Sequence, residues 1–227
     1  MEGNLLEIEK YIDHTLLKSD TTVNDIEKIC REAIEYGFFS ICISPAYVSI
    51  ALDYLKGSSV KICTVVGFPL GSSTTQTKVY ETVNALEDGA DEIDMVINIG
   101  FVKSGMYHLV KNEIERVKSI VRERCLKVIL ETCYLNEEEI EKVVKIAASA
   151  GADYIKTSTG FGSRGASFSD IEIMKKASEG TNLKIKASGG IRDIETALKY
   201  LEMGVSRIGT SNGVAIINKS NNIQAGY

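Results

Sequence analysis

Little in this chain marks it for a membrane, a nucleic acid or an oxidising compartment. No apolar run approaches the ~20 residues needed to span a bilayer. The first residues, Met1, Glu2, Gly3 and Asn4, lack the basic-then-apolar character of a secretion signal. Basic side chains do not dominate: 26 stand against 31 acidic ones, a net charge of -5. That argues against a nucleic-acid surface and requires any anion site to be local. Histidine is limited to His14 and His108. The five cysteines (Cys30, Cys42, Cys63, Cys125, Cys133) are odd in number and form no close metal-type pair along the sequence. Neither a disulfide framework nor a metal site is therefore expected, and a reducing cytoplasm is the natural compartment. There are only 2 prolines. What remains, 227 residues at 44% hydrophobic and 25% charged, describes one soluble globular domain over 1–227 with enough chain for a full core.

What the chain does have is a repeat. Four times a helical pattern ends in glycine and a strand follows at once, at Gly37, Gly89, Gly151 and Gly204. Glycine suits a helix C-terminus because it takes the left-handed conformation without a Cβ clash. Each gap between these glycines has room for two strand–helix units, and residues 60–66, 126–131 and 183–187 supply the extra strands. Residues 11–13 complete a set of eight. Between them lie amphipathic helices: Met106, Val110, Ile114, Val117 and Val121 recur at three- and four-residue steps. Ser169 with Glu172 fits a capping box, and Asn136 and Asp193 fit N-caps. Residues 218–227 read as a loose tail. Eight alternating units predict an α/β fold, a single-domain (β/α)8 TIM barrel. A doubly wound open sheet would carry a glycine fingerprint after its first strand, and here Asp13 is followed by His14, Thr15, Leu16 and Leu17.

The barrel organises the charged residues. Five positions after the repeat glycines stand Cys42, Asp94, Lys156 and Gly209, on strands two, four, six and eight. Inward side chains from alternate strands share a layer, so Asp94 and Lys156 meet at the C-terminal face, where barrel active sites sit. Lys186 on the neighbouring strand, Asp13 on the first and Glu131 on the fifth lie at similar heights. One reading is a structural ion-pair cluster. The other is a lysine nucleophile: free lysine titrates near ~10.4, whereas catalysis at neutral pH favours about 7–8. Desolvation and a neighbouring cation such as Lys186 both push that way. The loops after strands seven and eight, Ser188-Gly189-Gly190-Ile191-Arg192 and Gly209-Thr210-Ser211-Asn212-Gly213, read as a phosphate grip, or else as plain tight turns. The GxGxxG at 160–165 follows the sixth strand, the wrong context for a dinucleotide. His14 reads as a structural histidine oriented by Asp13 before it reads as a base. Cys42 faces the shared layer and can equally be core filler.

Four stretches carry a resemblance: Asp13-His14-Thr15-Leu16-Leu17, Glu92-Ile93-Asp94-Met95-Val96-Ile97-Asn98, Lys156-Thr157-Ser158-Thr159-Gly160-Phe161 and Lys186-Ala187-Ser188-Gly189-Gly190-Ile191. In this order they resemble the deoxyribose-phosphate aldolases, class I (Schiff-base) aldolases. The resemblance implies that Lys156 forms an imine with acetaldehyde, and that Asp94 and Lys186 are its proton donor and acceptor. It implies reversible cleavage of 2-deoxy-D-ribose 5-phosphate without a cofactor, in a cytoplasmic homodimer or higher homo-oligomer. Asp13, Thr15, Cys42, Thr159, Gly160, Ser188, Gly189, Gly190, Gly209, Ser211 and Asn212 are then the substrate-binding set. Some family members end in a tyrosine that reaches the active site, which makes Tyr227 a proton shuttle, unless it is simply a frayed end. Arg164, Asp193 and Asn212 depart from the family's small or hydroxylic residues near the phosphate loops. Two other functions fit such a barrel: a phosphosugar isomerase using a carboxylate base, and a non-catalytic binding subunit.

Overall fold

The computed structural model of the chain describes residues 7–224. Eight strands, β1 (Ile12–Leu16), β2 (Ser40–Ile43), β3 (Lys61–Val66), β4 (Glu92–Val96), β5 (Cys125–Ile129), β6 (Tyr154–Lys156), β7 (Lys184–Ser188) and β8 (Arg207–Thr210), pair in parallel and close in sequence order into a barrel. Helices cross back outside it: α1 (Val23–Glu35), α2 (Val48–Tyr54), α3 (Thr75–Glu87), a short α4 (Ile99–Lys103), α5 (Tyr107–Val121), α6 (Glu137–Ser149), α7 (Phe168–Ala177), α8 (Ile194–Glu202) and α9 (Gly213–Gln224). This is the single-domain (β/α)8 barrel the repeat predicts. The four repeat glycines do take positive φ, 66°, 109°, 82° and 94°.

The two-residue period of each strand sorts its side chains into two environments. Ile12, Ile41, Ile62, Ile93, Leu126, Ile155, Ile185 and Ile208 join one apolar cluster with helix residues such as Ile26, Ala85, Ile114, Val143 and Ala197. Each such burial stabilises by roughly 1.5–3 kcal/mol, and this layer between strands and helices holds the fold. The alternate positions point inward and carry the buried polar groups: Asp13, Ser40, Glu92, Asp94, Lys127, Lys156, Lys186 and Arg207 are all buried. At the lower end the Arg207 guanidinium stacks 3.4 Å above the centre of the Phe39 ring, covering charge with an aromatic face.

Asn136 caps α6 in a capping box with Glu139, and Asp193 caps α8 by accepting from the Thr196 N–H. The box assigned to Ser169 and Glu172 is displaced. α7 starts earlier, with Ser167 as its cap, because Arg164 pins Asp170 in the first turn. β1 extends to Leu16, which brings His14 into the strand. Met106 stands outside the buried stripe of α5, 43% exposed just before its first turn. α9 continues through Gln224 where a loose tail was expected from residue 218; no glycine or proline interrupts it after Gly213, and Ile216 and Ile217 anchor it. Tyr227 lies outside the described residues.

Candidate active site

Lys156 ends β6 and is only 2% exposed, yet it reaches the floor of a cavity of about 300 Å³ at the C-terminal face. Residues 15–18, 159–161, 188–192 and 209–212 form its walls. Beneath the floor lies a closed ionic network. Asp94 Oδ2 accepts from Lys156 Nζ at 2.8 Å and from Lys186 Nζ at 2.9 Å. Its other oxygen accepts from Lys127 Nζ at 2.8 Å and from the Cys63 thiol at 3.1 Å. Lys186 also bonds Asp13, which accepts in addition from Arg207 and Ser40, each at 2.7 Å. Glu92 completes the set against Lys127 at 2.6 Å and Arg207 at 3.4 Å.

Three carboxylates therefore face four basic side chains, all of them buried. Burial alone would raise the carboxyls, but the basic side chains of Lys127, Lys156 and Lys186 hold Asp94 well below the usual carboxylate range. Burial likewise opposes ionisation of Asp13, and Lys186, Arg207 and Lys127 outweigh it. The same pairing, against desolvation, holds Lys127, Lys186 and Arg207 above their ordinary values. A buried cluster approaches electroneutrality when one of its four bases is uncharged. Lys156 alone of the four borders the cavity, and its carboxylate oxygen is shared with Lys186.

The loops above are built for a close backbone approach. Gly189 and Gly190 both take positive φ, 84° and 80°, and a Cβ on Gly165 would fall 2.1 Å from the Gly189 carbonyl oxygen. Ala166 donates its N–H to the carbonyls of Ser188 and Gly189, stitching the β6 loop to the β7 loop. The β8 loop feeds the N-terminus of α9 and the β7 loop that of α8, so backbone dipoles favour an anion at this end of the cavity. Glu131, in the left-handed region at φ 54°, accepts from the Thr159 N–H at 3.1 Å and from its hydroxyl, fixing the β6 loop.

Of the residues expected in the site, Thr15, Thr159, Gly160, Ser188, Gly189, Gly190, Gly209, Ser211, Asn212 and Lys156 border the cavity. Asp94, Lys186 and Asp13 form the network below it. Glu131 is a correction, since it grips Thr159 instead of meeting the lysines. Cys42 is another: it is absent from the cavity wall, wholly buried with Cys63 and Val65 under Leu17 and Phe68. Arg164 bonds Asp170 through both guanidinium nitrogens and the Gly165 carbonyl at 3.1 Å, so it ties a loop to α7. His14 pairs with Glu32 at 2.8 Å, not with Asp13, because successive strand residues face opposite sides. Glu92, Lys127, Arg207 and Cys63 were not anticipated. Cys42, Cys63 and Asp94 offer ligand atoms within 4.8 Å of one another, but three lysine side chains already donate to that carboxylate, which opposes a cation there.

Lys156 thus stands at the floor of a cavity on the C-terminal face of a TIM barrel, the face where barrel active sites sit. The profile of the DeoC/LacD family of aldolases matches residues 8–219, and the chain belongs to that family. It is 50% identical over 222 residues to a deoxyribose-phosphate aldolase of Brevibacillus brevis, covering 98% of this chain and 100% of that one. It is 51% identical over 223 residues to the enzyme so named in Thermococcus gammatolerans, covering 96% and 99%. Among solved structures, the tetrameric deoxyribose phosphate aldolase of Aeropyrum pernix superposes with a TM-score of 0.87 at 30% identity, over 95% of this chain and 92% of that one. Among the described residues no helix is long and apolar enough to cross a membrane.

Proposed function

We propose that the chain reversibly cleaves 2-deoxy-D-ribose 5-phosphate into acetaldehyde and D-glyceraldehyde 3-phosphate through an imine on Lys156. The observation that carries this reading is the placement of Lys156: on the cavity floor, in a buried cluster with one base more than it has acids. The uncharged amine adds to the C1 aldehyde of the open-chain sugar. Loss of water from the carbinolamine gives an iminium, and that cation is an electron sink. When the C3 hydroxyl gives up its proton through water to the Asp94–Lys186 pair, the C2–C3 bond breaks, C3 becomes the aldehyde of the phosphorylated product, and the electron pair forms an enamine. Protonation at C2 and hydrolysis release acetaldehyde and the free lysine.

Lys186, Asp94 and Lys156 are joined through one carboxylate oxygen, at 2.9 and 2.8 Å. Because Asp94 stays ionised, the proton donor in this relay is the Lys186 ammonium, which Asp94 positions through the oxygen that also holds Lys156. Asp13 keeps Lys186 charged for that task. The phosphate sits against the β7 and β8 loops, where Arg192 adds a cation at the cavity rim. Asp94 and Asp13 are weak bases here, which disfavours a carboxylate-base isomerase on the same barrel. Supporting the substrate assignment are the relatives named deoxyribose-phosphate aldolase at 50% and 51% identity. We assign the chain to cytoplasmic breakdown of deoxyribose phosphate, as a homo-oligomer, with the tetrameric Aeropyrum pernix relative as support.

The test is a covalent trap. Acetaldehyde with borohydride is expected to leave an ethyl group on Lys156, located by peptide mapping, and Lys156→Leu is expected to fold, bear no adduct and turn over nothing. An adduct on another lysine, or none at all, refutes the reading.

A further inference from the structure

Two thiols stand opposite one another inside the barrel. Cys42 and Cys63 are register partners on β2 and β3, both wholly buried, with their sulfurs within 4.8 Å of each other and of an Asp94 oxygen. Paired residues on neighbouring strands, roughly 4.7–4.9 Å apart, already meet the Cα separation of about 4.4–6.8 Å that a disulfide requires. One thiol is also part of the site. Cys63 donates to Asp94 Oδ1 at 3.1 Å and lies 3.3 Å from Lys127 Nζ.

We propose that Cys42 and Cys63 are a modification site: a small hydroperoxide oxidises them to a disulfide, which withdraws the thiol donor from Asp94 and slows the lysine chemistry. The two sulfurs have different parts. The adjacent Cys63 thiol and the nearby Lys186 and Lys156 side chains favour ionisation of Cys42 against the effect of burial. Burial pushes the Cys63 thiol well up. Cys42 is then the nucleophile and Cys63 the resolving thiol. The Cys42 thiolate attacks the peroxide, breaking its O–O bond; Cys42 becomes a sulfenic acid and, with one proton taken up, water leaves. Cys63 attacks that sulfur, the S–O bond breaks, a second water departs and the disulfide is formed. The two thiols have lost two electrons and two protons to one peroxide. Leu17 both borders the cavity and packs on the thiol pair, so a molecule the size of hydrogen peroxide needs only that side chain to shift. By contrast, burial pushes Cys30 and Cys125 up to about 12 with no such cationic activation dominating, which leaves them inert.

The loss of turnover rests on the aldolase reading; the disulfide itself does not. The full chain is treated with hydrogen peroxide, its remaining thiols are alkylated, and intact mass, peptide map and turnover are read together. The expected result is a loss of two hydrogens mapped to Cys42–Cys63. Turnover falls roughly tenfold or more, the scale of one lost hydrogen bond to a charged group, and returns with dithiothreitol. In Cys63→Ser, which keeps a hydrogen-bonding group beside Cys42, the disulfide is absent and dimedone labels Cys42. No mass change, a bond between other cysteines, or a Cys42–Cys63 bond with turnover unchanged overturns the proposal. A reduced chain that never turns over contradicts the aldolase reading instead, since the mass change is independent of activity.

Discussion

Replacing Lys186 by methionine removes one positive charge from the buried network while keeping most of the side-chain volume. No carboxylate is orphaned: Asp13 keeps Arg207 and Ser40, and Asp94 keeps Lys127, Lys156 and Cys63. Three acids then face three bases, so the surplus of one base is gone. Lys156 and Lys186 bond the same Asp94 oxygen at 2.8 and 2.9 Å. Their nitrogens are thus about 5 Å apart, and two unit charges at that distance interact by about 3 kcal/mol at an effective dielectric of ~20. At about 1.4 kcal/mol per pH unit, losing that repulsion moves imine formation to a pH about two units higher. The assay is the initial rate of borohydride-trapped adduct from acetaldehyde, followed by mass across pH 6–10 or so. It reads the addition step, before Lys186 is needed to protonate an enamine. Near neutral pH trapping is expected to fall roughly 100-fold, and to recover at alkaline pH. A curve lowered in amplitude but unmoved along the pH axis would refute the like-charge argument.

The network also bears on acid stability. Asp13 titrates lower in the folded than in the unfolded chain, so its contribution is complete above about pH 4 and is lost as pH falls through the folded value. Asp13→Asn is expected to reduce stability at neutral pH and flatten the decline below about pH 4, read from urea midpoints across pH; an unchanged acid slope contradicts the assignment. A second buried pair, Lys78 with Glu113 at 2.6 Å, anchors the loop after β4 by bonding the Val96 carbonyl and the Asn98 N–H. Lys78→Met strands the Glu113 carboxylate and is expected to cost about 3–5 kcal/mol in urea unfolding, with much of it restored in Lys78→Met/Glu113→Gln; a cost below about 1 kcal/mol argues that the pair is dispensable. Gly165→Ala forces the β6 and β7 loops apart at the Gly189 carbonyl. It is expected to raise KM for the phosphorylated sugar about tenfold or more while affecting unphosphorylated deoxyribose less; equal effects on both place the phosphate elsewhere.

The barrel was legible because its repeat is local: a glycine that ends a helix and a strand that follows are both written within a few residues. Counting from those glycines also placed Asp94 and Lys156 together, since strand register repeats with the unit. Glu92 was within reach by the same logic, two residues before Asp94 and hence on the same strand face. Lys127 carried a signal too, a charge inside the apolar run Leu126-Lys127-Val128-Ile129. What local pattern does not contain is the stagger around a closed barrel. The bond from Lys186 to Asp13 spans 173 positions, and Cys42 meets Cys63 only through the pairing of β2 with β3. His14 was paired with the wrong acid by adjacency along the chain, where strand geometry separates neighbours.

An amine that must be uncharged in water-like surroundings needs a structure that makes its charge costly without burying it beyond reach. Apolar packing alone would achieve the first and sacrifice the second. Here the pressure comes from composition: four bases share three acids, and Lys156 shares its Asp94 oxygen with Lys186. Parallel strand ends supply the reach, because β6 delivers Lys156 to the open face while the other three bases remain below it. The same arrangement explains why the interior is ionic where other barrels are filled with branched apolar side chains. The apolar layer outside the strands carries the stability, which frees the interior for an otherwise unfavourable concentration of charge. The chemistry therefore depends less on any single neighbour of Lys156 than on the number of charges enclosed. Any substitution that changes that number, even at Arg207 on the far side of the network, is expected to move the pH dependence of imine formation in the direction set by its sign.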